Sequence, residues 1–455
     1  MNSGFRAGRL RETVSKLTLN TLFGRCLIVT TALNLNGVVT MTFGVGQAVS
    51  LVILIVSIFL IFMAGRVALS ALMLLFIAAI GSYILFGAVF TQTQDSMRTV
   101  LDFVFTYSGT VIIVLAASAY LIESGRNGFW FRELNFVRDV FVLSAVAVWA
   151  SPLLYTLYVE APLSIHYRMS GFFANPNEAA YAAAAGLALF MNQPYRSRVI
   201  NVVVLFLCVG AIILTFSKTG ALICLVLLAL GALRWIRGTF RVLLVATAAV
   251  AMLLLQDVSQ LVLFLLDQDF VELNIDQQRR VIEFGALLSG ELTASSTTGR
   301  SVLVQHALSE IVNRQPFGGG LGSMHHIEGG IRQNDVWLGV HNTFLMVFGE
   351  SGFVPGIMVV LVFFFIAWRI LASGSLGWEL SVLVVIAAAF MANHDGLALR
   401  FLNIMLAMII ASCAISQRRG PEQSFSQRRI VPLNRNSVWL SGMQIRGFNG
   451  RNRQI

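Results

Sequence analysis

The sequence predicts an all-α polytopic membrane protein of about 12 transmembrane helices with one large, partly helical loop on the outer face. Three observations predict it. Of the 455 residues, 57% are hydrophobic and only 12% charged, and the mean hydropathy is +0.78. That is more apolar surface than a soluble domain hides. Apolar stretches approaching the ~20 residues a bilayer span needs recur at roughly 26–44, 47–64, 68–90, 99–122, 138–158, 174–192, 198–216, 219–236, 241–266, 342–370, 376–393 and 398–416. The cations are asymmetric: with the N-terminus inside and the loops alternating, 23 of the 32 Lys+Arg fall on the inner side. This positive-inside pattern puts both termini in the cytoplasm.

Taken in order, residues 1–25 form a basic cytoplasmic N-terminus (Arg6, Arg9, Arg11, Lys16, Arg25). No cleavage site follows it, so the next apolar segment reads as an uncleaved anchor. Residues 26–266 carry spans 1–9, of which the first is the weakest because it holds Asn34 and Asn36. Residues 267–340 form the large outer loop, with nine of the 22 acidic residues and five arginines. A connection of that length has structure or function of its own. Within it, 277–288 and 300–312 read as helices, the second with Leu303, Ala307 and Ile311 on one face and Thr298 as a cap. After Pro316 the Gly-rich run Phe317-Gly-Gly-Gly-Leu-Gly322 predicts turns and close backbone approach. It is a weak phosphate loop, since no strand precedes it and no Gly-Lys-Ser/Thr follows. Residues 341–416 carry spans 10–12, and residues 417–455 form a basic cytoplasmic tail.

Composition also excludes some classes. The four cysteines (Cys26, Cys208, Cys224, Cys413) lie in or beside spans without metal-type spacing, which argues against a disulfide framework or a zinc site. The net charge of +10 is mostly topological, so no nucleic-acid partner is expected. The Arg-rich tail instead suits anionic lipid.

Ionisable groups at the ends of spans are costly and mark candidate functional positions. Several fall on the outer side: Arg168, Lys218, Arg300, His341 and Arg400. A layer of cations beside one histidine suits an anionic ligand whose tail lies in the bilayer. Each residue also has a plainer reading. His341 alone reads as an interfacial histidine, and Lys218 and Arg168 as snorkelling residues. Asn175-Pro-Asn177 caps the sixth span, Gly352 and Gly356 form a small-xxx-small packing pair, and His325-His326 and His394-Asp395 are structural or solvent-facing.

Together these pieces resemble the bacterial O-antigen ligase and polysaccharide polymerase superfamily. His341-Asn342, nine residues, then Gly352 is similar to its H-[NSQ]-x9-G-x-x-G signature, directly after the large loop. Supporting pieces are Arg168-Met-Ser-Gly-Phe-Phe-Ala-Asn-Pro-Asn177, Leu214-Thr-Phe-Ser-Lys-Thr-Gly220, Gly299-Arg300 and Pro316-Phe-Gly-Gly-Gly-Leu-Gly-Ser323, over roughly residues 160–415. The chain departs twice. The last Gly of the signature falls on Pro355, with Gly356 one place later, and Lys218 stands where the family turn carries arginine. The second departure shifts weight to Arg300.

The resemblance implies transfer of a glycan from undecaprenyl diphosphate to an acceptor sugar hydroxyl at the periplasmic face of the inner membrane, with no metal or other cofactor. The acceptor would be lipid A-core for a ligase or a lipid-linked repeat unit for a polymerase. By resemblance His341 would be the general base. Arg300, Lys218 and Arg168 would hold the diphosphate, supported by Asn342, Asn177 and Gly352. The alternative is a multispan transporter or flippase for a lipid-linked or anionic saccharide, for which two related halves with midplane charges would be expected.

Overall fold

The computed structural model describes residues 19–64, 70–91, 97–158, 168–235, 275, 277–279, 282, 300–325, 332–333, 336–337, 339–372, 377–393 and 395–418. The expected span at 241–266, the cap at Thr298, the basic stretch 6–16 and the tail beyond Arg418 lie outside the described residues.

Among the described residues the regular structure is helical apart from one antiparallel pair of two-residue strands, β1 (Arg332–Gln333) and β2 (Val336–Trp337). The helices are α1 (Leu19–Ala32), α2 (Leu35–Phe43), α3 (Gly46–Met63), α4 (Ala71–Val89), α5 (Met97–Arg126), α6 (Trp130–Trp149) and α7 (Ser151–Tyr155). They continue with α8 (Pro176–Asn192), α9 (Arg198–Leu214), α10 (Lys218–Trp235), α11 (Arg300–Arg314), α12 (Thr343–Ser351), α13 (Phe353–Ala372), α14 (Trp378–Ala392) and α15 (Arg400–Arg418).

Three of these are long and apolar enough to cross a membrane: Ala71–Val89, Val100–Arg126 and Phe353–Ala372. The bent pair α1–α2 makes a fourth if counted as one span. Five more apolar helices have 10–17 residues. At 1.5 Å per residue these reach roughly 15–26 Å, short of a ~30 Å hydrocarbon core. The described residues are therefore consistent with a polytopic membrane protein, and they do not confirm the expected count of about twelve spans.

Three of the expected spans are broken, one of them at Ala150 between α6 and α7. The first bends by 60° between α1 and α2, where Asn34 takes the left-handed conformation (φ 50°) that asparagine tolerates better than most residues. Asn34 Nδ2 donates to the Phe172 carbonyl at 3.3 Å, which holds the bend. The apolar stretch 342–370 is two helices, α12 and α13, divided at Gly352.

α8 is the centre of the bundle. From Ala179 to Phe190 every residue is buried, and the helix packs against α6, α9, α10 and α14. Its alanines and Gly186 allow that approach: a Cβ at Gly186 would stand 3.0 Å from the Phe141 carbonyl oxygen. The apolar faces left outside, such as Phe62, Phe105, Val202, Phe206 and Trp368, are exposed and suit lipid as solvent.

Candidate functional site

The first part of the site grows from the N-terminus of α8. Asn175 caps it, its Oδ1 accepting from the Asn177 N–H at 2.9 Å, and Pro176 takes the first turn, where its missing N–H is harmless. The cap fixes Asn177, whose Oδ1 accepts from Arg168 Nη2 at 3.0 Å. Arg168 Nε donates to the Thr215 carbonyl at 2.8 Å, and the Met169 N–H donates to the Leu214 carbonyl at 3.2 Å. Arg168 and the Met169 backbone thereby occupy carbonyls at the end of α9, where helical partners run out. The turn that follows contains Phe216 at φ 48° and Ser217, whose Oγ accepts from the Gly220 N–H at 3.2 Å and so caps α10. Lys218 is the first residue of α10. Arg168, Asn177 and Lys218 are thus brought together by the α9–α10 turn. From below, Tyr155 Oη accepts from the Ser170 N–H at 2.7 Å and Tyr158 Oη donates to the Gly171 carbonyl at 2.9 Å.

The second part surrounds His341. The Val340 N–H donates to the Met324 carbonyl at 3.1 Å. Asn342 Oδ1 caps α12 by accepting from the Leu345 N–H at 3.1 Å. Thr343 Oγ1 donates to the Asn393 carbonyl at 3.0 Å and accepts from the Gly396 N–H at 2.8 Å. The half-buried His341 is therefore held on a backbone tied to the loop, to its own helix and to the α14–α15 turn. Asn342 is a cap in this arrangement, as its sequence position before an apolar run suggests.

Gly352 and the Gly-rich run form one unit. The Gly319 and Gly320 N–H groups donate to the Gly349 and Glu350 carbonyls, each at 2.8 Å, and Phe353 N–H donates to the Pro316 carbonyl at 3.2 Å. These bonds satisfy the last turn of α12, where carbonyls have no partner within the helix. The run is a backbone clamp on α12, and a phosphate would find these N–H groups already taken. Gly352, at φ 83°, passes so close to Pro316 that any Cβ would collide with its carbonyl oxygen. Its role is a helix break against the clamp, which corrects the expected small-xxx-small helix contact. Gly356 instead packs against the Phe348 ring.

Between the two parts runs a buried polar network to which the sequence alone assigns no role. Glu350 is fully buried. It accepts from Tyr83 Oη at 2.5 Å and from the Met324 N–H at 3.4 Å, and its Oε1 lies 3.6 Å from His325 Nε2. Tyr83 stacks edge-on with Tyr107 (centroids 4.9 Å apart), and Tyr107 Oη donates to Asp395 Oδ2 at 3.1 Å. Asp395 Oδ1 accepts from the Ala398 N–H at 3.1 Å. Desolvation in the α14–α15 turn pushes the Asp395 carboxyl up to about 6. Glu178, in the first turn of α8, lies within electrostatic reach of Asp395. The network therefore reaches the turn bonded to Thr343 and lies electrostatically close to the first turn of α8. His325 and Asp395 belong to it, which favours the structural over the solvent-facing reading of these two positions. A carboxylate inside the apolar run Phe344–Phe353 was the available signal, because buried charge is expensive unless it is used or paired.

Arg300 opens α11 as expected, and its side chain lies outside the described residues. The buried face of α11 is Leu303, Ala307 and Ile311, and it packs against α12. Of the expected site residues, the structure joins Arg168 and Asn177 beside the turn that precedes Lys218, and sets His341 and Asn342 at the start of α12 and Gly352 at its end.

A search of curated proteins finds no match to this chain. Residues 203–361, from α9 into α13 and including Lys218, Arg300, His341, Asn342 and Gly352, match the family model described as O-Antigen ligase.

Proposed function

We propose that this protein transfers a glycan from a polyprenyl diphosphate, undecaprenyl diphosphate in bacteria, to a sugar hydroxyl at the outer face of the inner membrane. The family implies O-antigen ligase or polymerase activity in surface polysaccharide synthesis. The observation that carries the finer reading is the Arg168–Asn177–Thr215 linkage, which fixes a guanidinium at the turn that presents Lys218. A buried polar network of Glu350, Tyr83, Tyr107 and Asp395 lies beside the backbone that carries His341.

In this reading the acceptor hydroxyl oxygen attacks the anomeric carbon of the donor sugar. The bond from that carbon to the phosphate oxygen breaks, and the electron pair leaves with the lipid diphosphate. His341 takes the hydroxyl proton, a role suited to an imidazole that titrates near neutrality, and later releases it to water. Arg300, Lys218 and Arg168 offset the charge of the departing diphosphate. Lysine supplies a point charge where arginine would supply a fork. Asn177 orients Arg168, while Asn342 and Gly352 set the start and end of α12. A single displacement inverts the anomeric configuration.

The test is genetic. A strain lacking the gene is complemented with wild type or His341→Ala, and its surface and lipid-linked glycans are resolved on a gel. Loss of a general base removes a factor of about 100 or more, so His341→Ala leaves only residual product. Single-repeat material then marks a polymerase, and long chains stranded on the carrier mark a ligase. Normal glycans with His341→Ala would overturn the assignment.

A further inference from the structure

At the end of the bundle opposite His341, α1 and the start of α6 enclose an open cavity of about 550 Å³, lined by Leu22, Arg25, Cys26, Val29, Phe129 and Arg132 among others. Its charge is unbalanced. Arg25 donates through Nε and Nη2 to both oxygens of Glu133, each at 3.0 Å, and Arg132 Nε donates to the same carboxylate at 3.0 Å. Tyr120 Oη adds a donor at 2.6 Å. Glu133 is fully buried, while the Arg25 and Arg132 side chains are 33% and 51% exposed. Two guanidinium groups share one carboxylate, which leaves one net positive charge at the cavity mouth. Among the described residues, the terminal nitrogens of Arg132 have no hydrogen-bond partner; its guanidinium is seated over the Phe129 ring at 4.3 Å.

The remaining walls are mostly apolar, Thr21 and Thr30 apart, and are continuous with a bare outward face: Leu22 is 59% exposed and Leu19 40%. Trp130, next in sequence to Phe129, lies 6.0 Å from Trp378, an aromatic pairing of the kind found at the membrane–water boundary. A cation held at that boundary above an apolar groove is complementary to a phosphodiester with acyl chains. A soluble anion has no use for the groove, and a neutral lipid has none for the charge.

We propose that this cavity binds an anionic glycerophospholipid, its phosphodiester on Arg132 and Arg25 and an acyl chain along α1. The site is separate from the proposed catalytic turn and holds whether or not that reading does.

The test uses the full chain, delipidated and returned to nanodiscs. Bound lipid is counted by native mass spectrometry from an equal mixture of phosphatidylglycerol and phosphatidylcholine. A cation near the surface contributes about fivefold in affinity for an anionic lipid. Wild type therefore retains phosphatidylglycerol in about fivefold preference, Arg132→Gln loses most of that preference, and Arg126→Gln, an exposed arginine at the same end, keeps it. Glu133 keeps Arg25 and Tyr120 in Arg132→Gln, so the fold survives, and circular dichroism checks this. Unchanged preference in folded Arg132→Gln overturns the proposal. So does equal retention of both lipids by wild type, or competition by inorganic phosphate alone, which would mark a soluble-anion site.

Discussion

At Gly352 the backbone takes φ 83° and ψ −171°, a region that residues with a Cβ almost never enter. The same position lies against the Pro316 carbonyl, so a side chain there is excluded twice. Gly352→Ala is expected to destabilise the protein by about 3 kcal/mol, from backbone strain and from displacement of the Gly-rich clamp. At Gly109, in α5, an added Cβ would meet nothing within 4 Å, and Gly109→Ala is expected to be neutral or slightly stabilising through helix propensity. Thermal unfolding of the two purified variants makes the comparison. Equal midpoints for Gly352→Ala and wild type would show that the clamp can relax. The spacing from His341 to Gly352 was visible in the chain, but its reason was not. The reason is the approach of a loop that reaches Gly352 from 36 residues earlier in the sequence.

At the scale of elements, short turns do the positioning. The α14–α15 turn holds Asp395 with its carboxyl raised to about 6 by desolvation. A carboxyl raised in the folded state binds its proton more tightly than in the unfolded chain. Its contribution to stability is therefore greatest at low pH and declines as pH rises from about 4 through 6. Asp395→Asn removes that decline, a difference in slope of at most about 1.4 kcal/mol per pH unit, one proton's worth. Thermal midpoints measured from pH 4.5 to 7.5 for wild type and Asp395→Asn test it. Parallel curves would show that Asp395 titrates like an exposed carboxylate. The helices themselves were largely legible: α8 begins at Pro176 beneath its Asn175 cap, and α11 buries Leu303, Ala307 and Ile311. Caps and stripes are local, so a linear chain displays them. The break at Gly352 inside a continuous apolar run was hidden, because hydropathy records composition and not backbone direction.

At the scale of the molecule, the two ends of the bundle differ. One carries His341, Arg168 and Lys218. The other carries Arg25, Arg132 and Arg138, with Arg138 paired to Asp139 at 2.8 Å and seated over the Tyr195 ring at 3.8 Å. With the positive-inside pattern, the first end is expected to face the periplasm and the second the cytoplasm. In a cysteine-free background, Leu157→Cys, in the exposed turn after α7, is expected to react with a membrane-impermeant maleimide in spheroplasts. Arg196→Cys, in the exposed turn before α9, is expected to react only after lysis. The reverse pattern would invert the topology and remove the periplasmic assignment.

The sequence by itself determined the membrane class, the cap at Asn175 and the spacing around His341, because each depends on composition or on spacing within one element. Tertiary structure decided that Arg168 meets Asn177 and Thr215, that the Gly-rich run clamps α12, and that Glu350, Tyr83, Tyr107 and Asp395 form one buried network. Those contacts join residues up to 288 positions apart. No local pattern encodes such partners, and only packing helices around the buried alanines of α8 brings them within hydrogen-bonding distance.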